Sequence, residues 1–316
     1  MRYAFRMSAM ANREALRQVC RTPALLAMEL LWRWSFGLGV LGLLLAAWGR
    51  VRPLLVLDEA ELRTLDSADP IALASHVFAL FEPYTPLLLR VGFWLAAGAA
   101  VLWVVAATLG RTVITRALIC NEVRLQSETA GREPVPSTPS PNADFVAPRW
   151  PAHAFLLAAR VLMLLIPVIG YLSGVLLAAL VGGVDDPLLT VPLLFAPVFA
   201  SIVLWSLVNW VLSLAPLFVE RDGLSTLDAI VAALSFARRH RAELASIAGW
   251  NAALRTAVST ALTLAAIFTV AAGGSVWLTV VLVAMETLAY LVLSDWLLVA
   301  RLAAYARLVV AEAPSR

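Results

Sequence analysis

Seven charged side chains, Glu29, Arg33, Arg90, Arg160, Arg255, Glu286 and Asp295, stand inside long apolar runs of this 316-residue sequence. A charge at the centre of a membrane-spanning helix costs about 2.5–3.5 kcal/mol on insertion scales unless it is paired or hydrated. The seven therefore need partners, water or a task. Glu29 and Arg33 are spaced i,i+4 with the acid first, the favourable order, close to one end of their run. Arg90 lies near the opposite end of its own run and can snorkel to the interface. Mutual neutralisation and snorkelling account for these three.

The other four are harder to place. Glu286 stands alone near the middle of its run, with Thr279 and Tyr290 on its helical face. Asp295 follows about 180° round the helix and ~13.5 Å along it, so the two acids cannot hold one small ligand between them. Arg255 or Arg160 is the expected partner of Asp295, and Glu286 is left protonated or bonded to Asn209, Ser259 or Thr263. Asn251, Arg255, Ser259 and Thr263 recur at i+4 steps, Ser206, Asn209 and Ser213 make a second stripe, and Arg160 shares a face with Tyr171. Two chemistries fit this pattern. One is polar contact between helices, worth ~0.6 kcal/mol per pair. The other is a water-accessible cavity opening to the cytoplasm. Glu286 heads it as a proton or cation site, and Arg160, Asn209, Asn251, Arg255 and Asp295 form the polar interior.

Nothing in the sequence points to catalysis. His76, His153 and His240 fall in three different connections or span ends, which argues against a metal triad or a histidine-based catalytic pair. No H-E-x-x-H, G-x-S-x-G or G-x-x-x-x-G-K-[ST] occurs. Asp295 lacks the Asp counterpart in another run that an intramembrane aspartyl protease needs. The expectation is a protein that is not an enzyme and that uses no metal or cofactor. Cys20 and Cys120 read as reduced structural thiols.

The elements that must position these residues follow from composition. Apolar residues make up 61% of the chain and charged residues 14%, unlike a soluble domain. Runs at 24–48, 87–109, 153–181, 188–219, 244–272 and 276–300 are each long enough to cross a bilayer as a helix. The fold class is therefore all-α: a polytopic membrane protein of six transmembrane helices in three hairpins, with short amphipathic interfacial helices besides. The third, fourth and fifth runs are long enough to tilt, kink or outrun the lipid, with Pro167, Pro192, Pro197 and Pro216 as kink sites.

All 24 basic residues are Arg. Of these, 17 lie in the N-terminal segment, the second and fourth connections and the tail, against Arg50, Arg52 and Arg63 on the other side. The positive-inside rule puts both termini in the cytoplasm. The net charge of +3 is laid out by topology and does not form a nucleic-acid face. Arg without Lys, with abundant Ala, Gly and Pro, suggests a GC-rich bacterial genome and so a bacterial inner membrane. The first run follows a basic segment without an A-x-A site and reads as an uncleaved signal anchor.

Four connecting segments have character of their own. Arg2, Arg6, Arg13, Arg17 and Arg21 fall on one stripe of a helix at 1–22, opposite Ala4, Phe5, Ala11, Ala15, Leu16 and Val19. Such a basic amphipathic helix suits the anionic headgroups of the cytoplasmic leaflet, unless it is only an orientation signal. The external connection 49–86 is acidic and contains a helix capped at Asp69-Pro70 and running to Phe81. Residues 131–151 read as a disordered linker rich in Pro and Ser. Residues 225–241 form another amphipathic helix, with Ser225 and Asp228 as a capping-box variant, Leu227, Ile230, Val231 and Leu234 as its apolar face, and Arg238, Arg239 and Arg241 at its end. Arg21-x-Pro23-Ala24 and Arg149-x-Pro151-Ala152 open the first and third runs alike, through a threefold hairpin repeat or by chance.

Pro216-Leu217-Phe218-Val219-Glu220, Gly223-Leu224-Ser225, Asp228-Ala229, Ser235 and Arg238 carry a resemblance. The pattern resembles the six-helix membrane domain attached to some bacterial glycerophosphodiester phosphodiesterases, over about 25 residues. It implies architecture only, because no phosphodiesterase domain is present. Residues 227–241 are also similar to the cytoplasmic coupling helix of permeases that dock on an ATPase, though they lack its internal Gly and closing Pro. The partners so implied are membrane lipids, and a protein or an ATPase at 225–241.

Overall fold

The computed structural model describes residues 14–17, 19–54, 79–129, 149–182, 187–271 and 276–312. These contain helices and no strand. In chain order they are α1 (Pro23–Val51), α2 (Thr85–Thr129), α3 (Trp150–Leu162), α4 (Leu165–Leu177), α5 (Pro187–Asp222), α6 (Thr226–Arg239), α7 (Arg241–Ala271) and α8 (Val276–Ala311). A π-helical turn, Ala178–Gly182, extends α4. Six segments are long and apolar enough to cross a membrane, α3 and α4 together making one. The chain is a multi-pass membrane protein.

Span lengths depart from expectation in an informative way. The extra length falls on α2, with 45 residues, and α8, with 36. α2 continues past Arg111 and α8 past Arg301 because Arg, Ala, Leu and Glu all favour helix and no breaker intervenes. Of the four expected kink sites only Pro167 lies beside a break: α3 ends at Met163–Leu164, where the proline ring meets the carbonyl four residues back. Pro192, Pro197 and Pro216 sit inside an unbroken α5. The linker expected to reach residue 151 is already helical from Trp150. Most of that linker, the Asp69-Pro70 cap and most of its helix, and Arg2, Arg6 and Arg13 lie outside the described residues.

The chain packs as two compact units. One is Arg33–Ala106, where the later part of α1 meets the earlier part of α2 through small residues: Gly39 faces Leu102 and Gly98 faces Leu43. The other holds the described residues of Met1–Trp32 and Ala107–Arg316. Its core is concentrated at the arginine-rich end. Leu214, Leu217, Val219, Phe236, Leu244, Ile247, Tyr305 and Val309 are all buried there. By contrast, at most 11% of each apolar span window is buried, which leaves those surfaces to lipid.

Polar contacts tie this core together. Arg221 donates to the carbonyl of Val309 and pairs with Asp222. Arg239 and His240 meet Glu312, and Arg307 pairs with Glu14. Trp210 Nε1 donates to the buried Tyr305 hydroxyl at 3.2 Å. The helical stretch 14–17 and 19–21 buries Ala15 and Val19 and exposes Arg17 and Arg21. Its apolar side is thus covered by protein at these positions, where a lipid-facing helix was expected.

Helix α6 also presents a different face from the expected one. Ala229, Ala233, Phe236 and Ala237 pack against the bundle, Phe236 edge-on to Phe218 at 5.5 Å. Small residues allow a closer approach than the leucines would. Leu227, Val231 and Leu234, spaced i, i+4 and i+7, point outward instead, the first two 70% and 67% exposed. Ser225 stands at the N-cap, its hydroxyl accepting from the Asp228 N–H and donating to the Asp228 carboxylate.

Candidate functional site

Two polar levels cross the arginine-rich unit, both built between α3 and α5. At the first, Arg149 donates to the carbonyls of Val219 and Glu220, satisfying groups near the C-terminal end of α5. His153 Nε2 lies 2.8 Å from a Glu220 carboxylate oxygen, and both side chains are buried. Gly223 then turns the chain with φ +72°, the left-handed conformation that glycine supplies cheaply. An added Cβ there would stand 2.9 Å from an Arg149 nitrogen.

Two helical turns from His153, Arg160 Nε donates to Asn209 Oδ1 at 2.9 Å. Arg111 and Arg160 line one pocket with His153, Thr115, Ser213 and apolar neighbours that include Leu302. Its free volume is about 10 Å³, room for one water. Arg301 Nε is buried and has no hydrogen-bond partner among the described residues. On the other side, Arg111 lies 5.8 Å from the Trp32 ring centroid, and Trp32 donates to the fully buried Glu29 at 2.8 Å. Glu29 is thus a core residue and not a snorkelling one.

Glu286 lies elsewhere. It accepts from the Thr269 hydroxyl at 3.1 Å, and its second carboxylate oxygen is buried without a hydrogen-bond partner among the described residues. It lines a cavity of about 280 Å³ between α7 and α8, together with Ser259, Thr263, Thr287 and Tyr290.

The sequence-derived candidates therefore separate into two places. Arg160 and Asn209 bond directly, while Glu286 shares its cavity with Ser259 and Thr263 and takes its hydrogen bond from Thr269. The two cavities share no lining residue. Asn251 turns back to the carbonyl of Ile247, and Ser213 to that of Trp210. Asp295 is buried, whereas Arg255 is exposed. Tyr171 is also exposed, because the break at 163–164 changes the register between it and Arg160. Sequence reasoning missed Arg111, Arg301, His153 and Glu220. The signal was present: each is a charged or titratable residue at the edge of an apolar run.

No family model, curated protein or solved structure matches this chain. Among the described residues no group of three metal-ligating side chains converges.

Proposed function

We propose that this is a non-enzymatic protein of a bacterial inner membrane, with both termini in the cytoplasm, acting as an assembly or regulatory partner that presents α6 to another protein. The outward stripe of Leu227, Val231 and Leu234 carries the reading. Its position argues for a protein occupant. From Asn209 to the end of α5, and from the start of α7 to Arg255, there are about 20 Å of helix at ~1.5 Å per residue. Both ends of α6 thus stand far from the levels of Asn209 and Arg255, which supports a place for it in water. An apolar i, i+4, i+7 stripe in water is the pattern a hydrophobic groove receives. Exposed Arg238, Arg239 and Arg241 flank its end, so the groove expected is rimmed with acids.

The resemblance to permease coupling helices agrees with this placement. A photoreactive residue at Val231 should form one discrete adduct in cells, with a partner whose contacting surface is acidic and apolar. Leu227→Arg should abolish the adduct without lowering the amount of protein in the membrane. Crosslinks to phospholipid alone, or an adduct unaffected by Leu227→Arg, would count against it.

A second reading is transport, and one observation favours it: the unpartnered buried oxygen of Glu286 beside a cavity of about 280 Å³. A carboxylate so placed suits a proton or cation. In liposomes, Glu286→Gln should abolish any proton or cation flux the protein supports while leaving its thermal stability unchanged. Equal flux in protein-free and protein-containing vesicles removes this reading.

A further inference from the structure

The cleft between α7 and α8 has walls of two kinds. Its lining residues recur at i, i+3, i+4 and i+7, from Ser259 on α7 and from Val283 on α8. Leu262, Ala266 and Val283 make the apolar part, while four hydroxyl groups and the Glu286 carboxyl make the polar part. The free volume of about 280 Å³ comes close to the ~300 Å³ at which pockets for small organic molecules begin. A bare metal ion would leave most of it empty.

Depth and surroundings decide how a ligand arrives. Ten residues separate Glu286 from Val276 at the start of α8, about 15 Å of helix or half the ~30 Å of bilayer hydrocarbon. The sequence carries no other charge at 256–294. Thr263 and Thr287 of the cleft are exposed, and so are the apolar side chains of Leu264, Phe268, Met285 and Leu288 near them. The cleft is thus reached from the bilayer, which dissolves amphiphiles and rejects hydrated metal ions.

Hydrogen-bond polarity narrows the ligand further. Glu286 Oε1 accepts from Thr269, and its buried Oε2 has no hydrogen-bond partner among the described residues. The Thr287 hydroxyl donates to the Val283 carbonyl at 2.8 Å, so its oxygen is left as an acceptor. These groups want a ligand that donates, and a carboxylate away from water wants a positive one. An ammonium group is both.

We propose that the α7–α8 cleft binds a lipophilic organic amine, its ammonium donating to Glu286 and its apolar body lying on Leu262, Ala266 and Val283. The proposal rests on the reading of Glu286 as a cation site and names the cation; the docking of α6 does not enter it.

The test uses the full-length protein in phosphatidylcholine nanodiscs with tritiated octylamine as the probe, its binding counted by scintillation proximity. The wild type should bind it saturably. Unlabelled octylamine should displace it, and neither octanol, with the same chain and no charge, nor sodium chloride should do so. Glu286→Gln should weaken binding about tenfold, the loss expected for one charge-assisted hydrogen bond, and Thr287→Val about threefold. Ala266→Phe keeps the carboxyl and fills the cleft, so it should abolish binding and decides the matter should Glu286→Gln not fold. Thr279→Val, outside the cleft, should leave binding unchanged. A wild type without saturable binding overturns the proposal, as does equal displacement by octanol or sodium chloride, or equal binding by Glu286→Gln and Ala266→Phe. Ion flux in liposomes is read separately. Flux that depends on Glu286 without amine binding overturns the amine and keeps the cation site; amine binding without flux supports the amine and ends the transport reading.

Discussion

His153→Ala should lower unfolding stability by about 3 kcal/mol, the cost of leaving one member of a buried pair without the other. Its ring is 1% exposed and bonds Glu220 at 2.8 Å, at the point where Arg149 also holds the last turns of α5. Removing the imidazole strands a carboxylate in the core, and α6 follows directly after that turn. Glu220→Gln retains an acceptor for the ring and should cost only about 1 kcal/mol. The double variant, His153→Ala with Glu220→Ala, should cost less than the sum of the two single changes. Reversible unfolding in mixed micelles measures all of these. Additive losses would show that the pair contributes nothing as a pair.

The second large effect is expected at Gly174. Here α4 lies directly on α5: an added Cβ at Gly174 would press into the Leu194 carbonyl, with the Leu194 carbonyl carbon itself 3.2 Å away. One turn earlier, Gly170 packs in the same way on Ser201 and the Pro197 carbonyl. Backbone cannot rotate aside as a side chain can. Gly174→Ala should therefore cost about 1–3 kcal/mol, and Gly174→Leu should separate the two helices. At Gly42 an added Cβ meets nothing within 4 Å, so Gly42→Ala should be close to neutral. The same unfolding assay checks the contrast. Equal effects at Gly42 and Gly174 would mean that the close approach does not stabilise the bundle.

These two sites show what a single sequence discloses and what it conceals. Six spans were legible because 20 apolar residues have few other uses, and the amphipathic helix at 225–241 because its cap and its charges lie at fixed spacing. Periodicity alone could not say which face of α6 would turn inward. Leucines look like the core face, yet alanines allow the nearer approach and win the contact with α5. The Gly170–Gly174 spacing is a plain small-xxx-small pattern, but its partner helix is visible only in three dimensions. The polar site was half legible. Arg160 and Asn209 were noticed because each interrupts an apolar run. Arg111 and Arg301 lie two residues and one residue beyond such runs, where arginine is ordinary, and only the lengths of α2 and α8 bring them into a packed region. Glu286 stood out in sequence, and its neighbour Thr269 did not, since a threonine among apolar residues carries little weight until its hydroxyl is seen 3.1 Å from a carboxylate.

The docking role proposed for α6 requires its apolar stripe to stand in water. Depth measurement tests it most directly. With Cys20 and Cys120, both exposed, replaced by serine, a spin label on a single cysteine at position 231 can be read in the purified protein reconstituted in bilayers. Collision with a water-soluble nickel relaxant should stand well above collision with oxygen there, and a label at exposed Leu172 of α4 should show the reverse. Oxygen-dominated relaxation at position 231, matching that at Leu172, would place the stripe in lipid and contradict the docking role assigned to α6.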